Sequence, residues 1–97
     1  MSAPLSIVGE LTIYRALELK PLILDEVAQR DRPSLDLSGV EEIDTAGVQL
    51  LLLAQREAHA RGVELQLLSP SAAVREALEL LWLSPRLDAP QPSGADA

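Results

Sequence analysis

The chain has 97 residues, 47% of them hydrophobic, which is apolar material for one core and hence one domain. Fifteen acidic against eight basic side chains leave a net charge of −7, which argues against nucleic acid and against anionic membrane surfaces as partners. With no Cys, disulfides and thiolate metal sites are excluded, and a single His (His59) leaves no His-based metal cluster.

No apolar run approaches the roughly 20 residues of a membrane span. Met1-Ser2-Ala3-Pro4 lacks the charged and apolar regions of a signal peptide, so a soluble, cytoplasmic protein is expected. With no Phe, one Tyr (Tyr14) and one Trp (Trp82), the core must be aliphatic.

In chain order, Leu5 to Val8 is a short apolar run ended by Gly9 and extended by Leu11, which predicts a first strand. A helical pattern follows. At about 100° per residue, Ile13, Ala16, Leu17, Leu19, Ile23, Leu24, Val27 and Ala28 share one face. Tyr14, Arg15, Glu18, Asp25, Glu26 and Gln29 take the other, with Leu22 an apolar exception there. Lys20 falls on the buried side, where its stem can snorkel to water. Pro21 lies inside this helix and predicts a kink or break, and the helix should end near Arg32-Pro33.

Ser34 to Ser38 reads as the second strand, with Leu35 and Leu37 on one face and Asp36 on the other. The next helix is expected from about Thr45 to Arg61, closed by Gly62 as a left-handed cap. Val63 to Leu68 alternates with a period of two, a third strand. Ser69-Pro70-Ser71 makes a turn, and Ala73, Val74, Ala77, Leu78, Leu80 and Leu81 form the buried stripe of a third helix. From Ala89 the apolar pattern stops, so residues 1–88 are read as the domain and 89–97 as a disordered tail. The order of elements implies right-handed crossovers and a mainly parallel sheet with helices packed on it.

Thr45 is the residue most open to a function. Asp44 or Thr45 can simply cap the second helix, the commoner use of such residues. Thr45 can also carry a phosphate, which would gain from the helix N-terminus and be repelled by Asp44, Glu41 and Glu42. On that helix, Leu50, Leu51, Ala54 and Ala58 cluster with Gly47 toward the sheet. Leu52 and Leu53 are left on the side of Thr45, Gln49 and Arg56, either as a docking patch or as ordinary surface leucines. Asp36 and Asp44 could meet at one end of the sheet as paired carboxylates for acid–base work or Mg²⁺, or merely stabilise turns. There is no Gly-rich phosphate loop, no Walker-type Lys and no nucleophile with an adjacent base. His59 is expected to be solvated.

Gly9-Glu10-Leu11, then Asp36-Leu37-Ser38-Gly39-Val40, then Asp44-Thr45-Ala46-Gly47-Val48, then Gly62-Val63-Glu64-Leu65 with Ser69-Pro70 form an ordered set. From Val8 to about Leu83 this set resembles the STAS domain family, which includes bacterial anti-sigma factor antagonists. The resemblance implies a small α/β domain whose mainly parallel sheet of four or five strands is flanked by helices. It implies a non-enzymatic, cofactor-free regulator that switches protein partners. In such proteins the unmodified form binds a serine/threonine kinase acting as an anti-sigma factor, and phosphorylation releases it. The acceptor directly follows the Asp, which makes it Thr45 here. Asp44, Thr45, Gln49, Leu52, Leu53 and Arg56 are then the expected partner surface.

Three features depart from the commoner pattern. Thr12 follows Gly-Glu-Leu where the family often has an acid, the segment before Leu5 is short for a full first hairpin, and Thr stands for Ser at 45. A Thr also occurs in a STAS subfamily that docks, through the same helix, on the ATPase of a bacterial phospholipid-transport ABC system. That is the alternative expectation.

Overall fold

The structure, a computed structural model, describes residues 3–80. The expected domain boundary at 88 and 89, and Leu81 of the third helix's stripe, lie outside them. In order come strand β1 (Leu5–Leu11), helix α1 (Ile13–Gln29), strand β2 (Ser34–Ile43), helix α2 (Thr45–Arg61), strand β3 (Gln66–Leu68) and helix α3 (Ala72–Leu80). The strands form one parallel sheet in the order β1-β2-β3. This is the expected small α/β domain.

The described residues hold three strands, not the four or five that the resemblance implied. The chain has three stretches of strand character there, and each of them pairs. Two strand boundaries differ from the reading by pattern. β2 runs on through Glu41 and Glu42 to Ile43, because β1 continues beside it and pairs Leu11 with Ile43 after two register shifts. β3 is only three residues long. Its pairing starts where β2 starts, at Ser34 opposite Gln66, so Val63 to Leu65 have no strand to join.

Aliphatic side chains from every element but β3 make the core, with Leu67 of β3 partly buried against it: Ile7 and Leu11 of β1, Leu35 and Leu37 of β2, and Val74 and Leu78 of α3 are almost fully enclosed. α1 contributes Leu19, Ile23 and Val27, and α2 contributes Val48, Leu50 and Leu51. The buried stripe of α1 is narrower than expected. It centres on Leu19, Ile23 and Val27, roughly a quarter turn or more from Ile13, Leu17 and Ala28 at 100° per residue. Ile13, Leu17 and Ala28 are therefore exposed, and Lys20, nearer the stripe, is exposed as well. Glu26, expected outside, is buried, and it accepts the Ser34 backbone N–H at 3.0 Å while meeting Arg30 at 3.5 Å. Leu80, expected in the core, is exposed.

Helix α1 runs through Pro21 without a break in its helical assignment. The bond that Pro21 cannot make is to the Leu17 carbonyl. Both residues are exposed, so water can take the freed acceptor.

The two long helices are matched. Each has 17 residues, about 25 Å at 1.5 Å per residue. Both return antiparallel to the strands, so they run side by side in the same direction. They are tied at each end. At the N-terminal end the Asp44 carboxylate accepts from Ile13 N–H and from Gly47 N–H, each at 3.0 Å. At the C-terminal end the Arg61 guanidinium donates to the carbonyls of Val27 at 2.6 Å and Arg30 at 3.0 Å.

Candidate functional site

The start of α2 is set by a glycine and an aspartate. Gly47 is buried against β1, and a Cβ placed there would lie 2.0 Å from the Leu11 carbonyl oxygen. Only glycine lets the first turn of α2 approach the end of β1 so closely. Asp44 has extended backbone and caps the helix through Gly47 N–H. Its second oxygen takes Ile13 N–H, so one carboxylate serves two helix starts. Those two backbone donors stabilise the charged form and lower its pKa from the ordinary carboxylate value.

Capping is therefore the work of Asp44, and of the two capping assignments left open by spacing the aspartate is the one realised. Thr45, at the first helical position, is exposed, and its hydroxyl makes no hydrogen bond among the described residues. Thr12 does a matching job for α1. It accepts from Tyr14 N–H at 3.3 Å and donates to a Glu10 carboxylate oxygen at 2.9 Å.

Past Thr45 an open groove of about 490 Å³ runs between α1 and α2. Ala46, Gln49, Leu50, Leu52, Leu53 and Arg56 line its α2 side. Asp44 and Thr45 are outside the lining, and at about 100° per residue Thr45 falls on the same arc of α2 as Gln49, Leu52 and Arg56. Leu52 and Leu53 are half-buried rather than sealed in the core. Gln49 and Arg56 are exposed. The opposite wall comes from Ala16, Leu17 and Lys20 of α1. Pattern reading placed Leu17 and Lys20 on the buried face and so missed this wall; the three-residue step from Leu17 to Lys20 was the available signal.

Asp36 does not join Asp44. It pairs across from Ser6 and Leu68 near the start of β2, whereas Asp44 follows the end of that strand, eight residues or roughly 25 Å further on. The carboxylate of Asp36 accepts from the Ser38 N–H at 3.0 Å and the Ser38 hydroxyl at 2.8 Å, which lowers its pKa. The expected turn is not there: both residues lie within β2, where the bonds brace the strand beside its register shift against β1. Among the described residues no three His, Asp or Glu side chains gather as a metal site, and no helix is long and apolar enough to cross a membrane.

The family model described as "Mlab, STAS domain" matches residues 2–85. The chain belongs to the STAS domain family. A search of curated protein sequences finds no match. Among solved structures, this STAS domain is similar to the anti-sigma factor antagonist SpoIIAA in its unphosphorylated form, at 24% identity, over 99% of this chain and 90% of that one, with a TM-score of 0.69. The Bacillus cell-fate determinant SpoIIAA in its phosphorylated form matches at 24% identity over 94% of this chain and 85% of that one, with a TM-score of 0.64. A sulfate transporter family protein from Wolinella succinogenes matches at 26% identity over 84% of this chain and 67% of that one, with a TM-score of 0.70. Likeness at these identities is likeness of fold.

Proposed function

We propose that this STAS domain is a non-enzymatic regulator of the anti-sigma factor antagonist kind, acting in the bacterial cytoplasm on transcription through a partner kinase. The partner sits on the flank of α2 formed by Asp44, Thr45, Gln49, Leu52, Leu53 and Arg56, and phosphorylation of Thr45 drives it off. One observation carries the reading: Asp44 alone caps α2, so the neighbouring hydroxyl is exposed and unspent at a helix start. A phosphate there would add about −1.5 to −2 charges beside Asp44 and the exposed Glu41 and Glu42. Support by analogy comes from SpoIIAA, a similar fold whose structures include an unphosphorylated and a phosphorylated form.

The test uses Thr45→Val and Thr45→Asp chains as bait for the partner kinase, with bound protein identified by mass spectrometry. Wild type and Thr45→Val should retain it, Thr45→Asp should not, and only wild type should acquire a phosphate. Equal retention by all three would end the switch.

Thr in place of Ser at 45 favours one other reading, a STAS subunit of a phospholipid-transport ABC system that docks on its ATPase. In that case the bait retains an ABC ATPase, the two Thr45 variants behave alike, and Leu52→Asp releases it.

A further inference from the structure

We propose that the groove between α1 and α2 receives one amphipathic helix of the partner, with acidic side chains bordering its apolar stripe, and that Leu17 and Lys20 of α1 belong to the contact. This rests on reading α2 as the partner-binding helix and adds the second wall and the chemistry of the occupant.

The apolar part of the groove is built from Leu17, Leu52 and Leu53. Leu17 is 90% exposed, and its place in one groove with the half-buried Leu52 and Leu53 makes a contiguous apolar patch of what would otherwise be a lone surface leucine. Ala16 and Ala46 lie at the end nearest Thr45, and small residues there let another backbone come close. A slot between two parallel helices, walled by side-chain ridges, fits a third helix and offers no backbone edge to a strand.

Charge defines the occupant further. Four arginines are spent on the fold: Arg15 on the carbonyls of Val8 and Glu10, Arg30 on Glu26, Arg61 on Val27 and Arg30, and Arg75 on the Pro70 carbonyl. Lys20 and Arg56 face the groove from opposite walls and make no hydrogen bond or ion pair among the described residues. In a chain with 15 acidic and 8 basic residues, two unengaged cations over one apolar slot call for acidic groups on the occupant. Because Asp44 sets the helix starts level, Lys20 lies about 10 Å and Arg56 about 16 Å along the slot, within reach of a helix of about four turns. A second copy of the chain is a poor occupant, since each copy carries −7.

The probes are two fluorescent helical peptides of about five turns with the same leucine stripe, one bordered by Glu and one by Lys, titrated into the full chain. Fluorescence anisotropy should show the Glu-bordered peptide binding wild type about tenfold more tightly than the Lys-bordered one, and less tightly as salt rises. Lys20→Glu with Arg56→Glu should reverse that preference. Leu17→Asp should weaken both peptides about tenfold with an unchanged melting temperature. Equal binding of the two peptides, no binding of either, or full binding by the Leu17→Asp chain would overturn the proposal. So would self-association that Leu17→Asp abolishes, because the occupant would then be another copy. Thr45→Asp retention of the partner kinase is read separately, so failure of the peptide test with an intact Thr45 response removes the groove and leaves the switch.

Discussion

Asp44 is the most consequential single side chain. It satisfies the first turn of α2 and the first N–H of α1 with two oxygens of one carboxylate. Asp44→Asn keeps an acceptor for Gly47 but turns a donor toward Ile13. Urea unfolding should register a loss of about 1 kcal/mol, the usual worth of a cap or a charge-assisted bond. Acid should act through the same group. Its folded pKa lies below the ordinary value of about 3.9, so the stabilisation is complete at neutral pH and is lost as pH falls through the folded pKa. Unfolding midpoints measured from pH 6 downward should fall below about pH 4. That fall should be shallower for Asp44→Asn.

Part of this was legible in the residues themselves. Asp before Thr, with Gly two places later, points to a helix start whatever the fold. Which of the two neighbours caps it was not legible, because both types can. Glu26 was missed for a related reason: helical spacing puts it outside, and only the return of the chain at Ser34 supplies the partner that draws it in.

At the level of elements, the glycines of α2 separate two demands on backbone. Gly47 needs space, and Gly62 needs a left-handed conformation. A methyl at Gly47 would collide with the Leu11 carbonyl, whereas at Gly62 it meets nothing within 4 Å but must accept a φ of +79°. Gly47→Ala should cost about 3 kcal/mol or more, at the upper end of overpacking penalties. Gly62→Ala should cost about 1 kcal/mol. Thermal unfolding of the two variants checks the contrast. If Gly62→Ala proved the worse, the close approach of α2 to β1 would be wrong.

Helix α2 was readable to its ends because its cap, its small residues and Gly62 are all local signals. The strands were less so. β2's final stretch carries Glu41 and Glu42, which break the apolar alternation while the backbone ladder to β1 continues. The wall offered by α1 escaped because a helical wheel fixes relative angles but not which arc meets the sheet.

For the whole molecule, the net charge of −7 coexists with a locally basic slot. Thr45→Asp adds one more negative charge at an exposed position. It should leave stability within about 0.5 kcal/mol, as surface substitutions do. A melting curve matching wild type would assign any loss of partner to the charge itself, and a large drop would assign it to damage at the helix start. The long-range ties could not be foreseen. Arg61 reaches carbonyls more than thirty residues away in sequence, and no periodicity encodes such a reach.

Those ties have a mechanical corollary. Helices lashed together at both ends resist splaying or closing around a guest, so the spacing of their backbones is largely set before anything arrives. A visitor meets a rigid gauge. Whatever is admitted must match it in side-chain bulk, and discrimination is then exercised by shape already in place, with little entropy left to lose on the host's side.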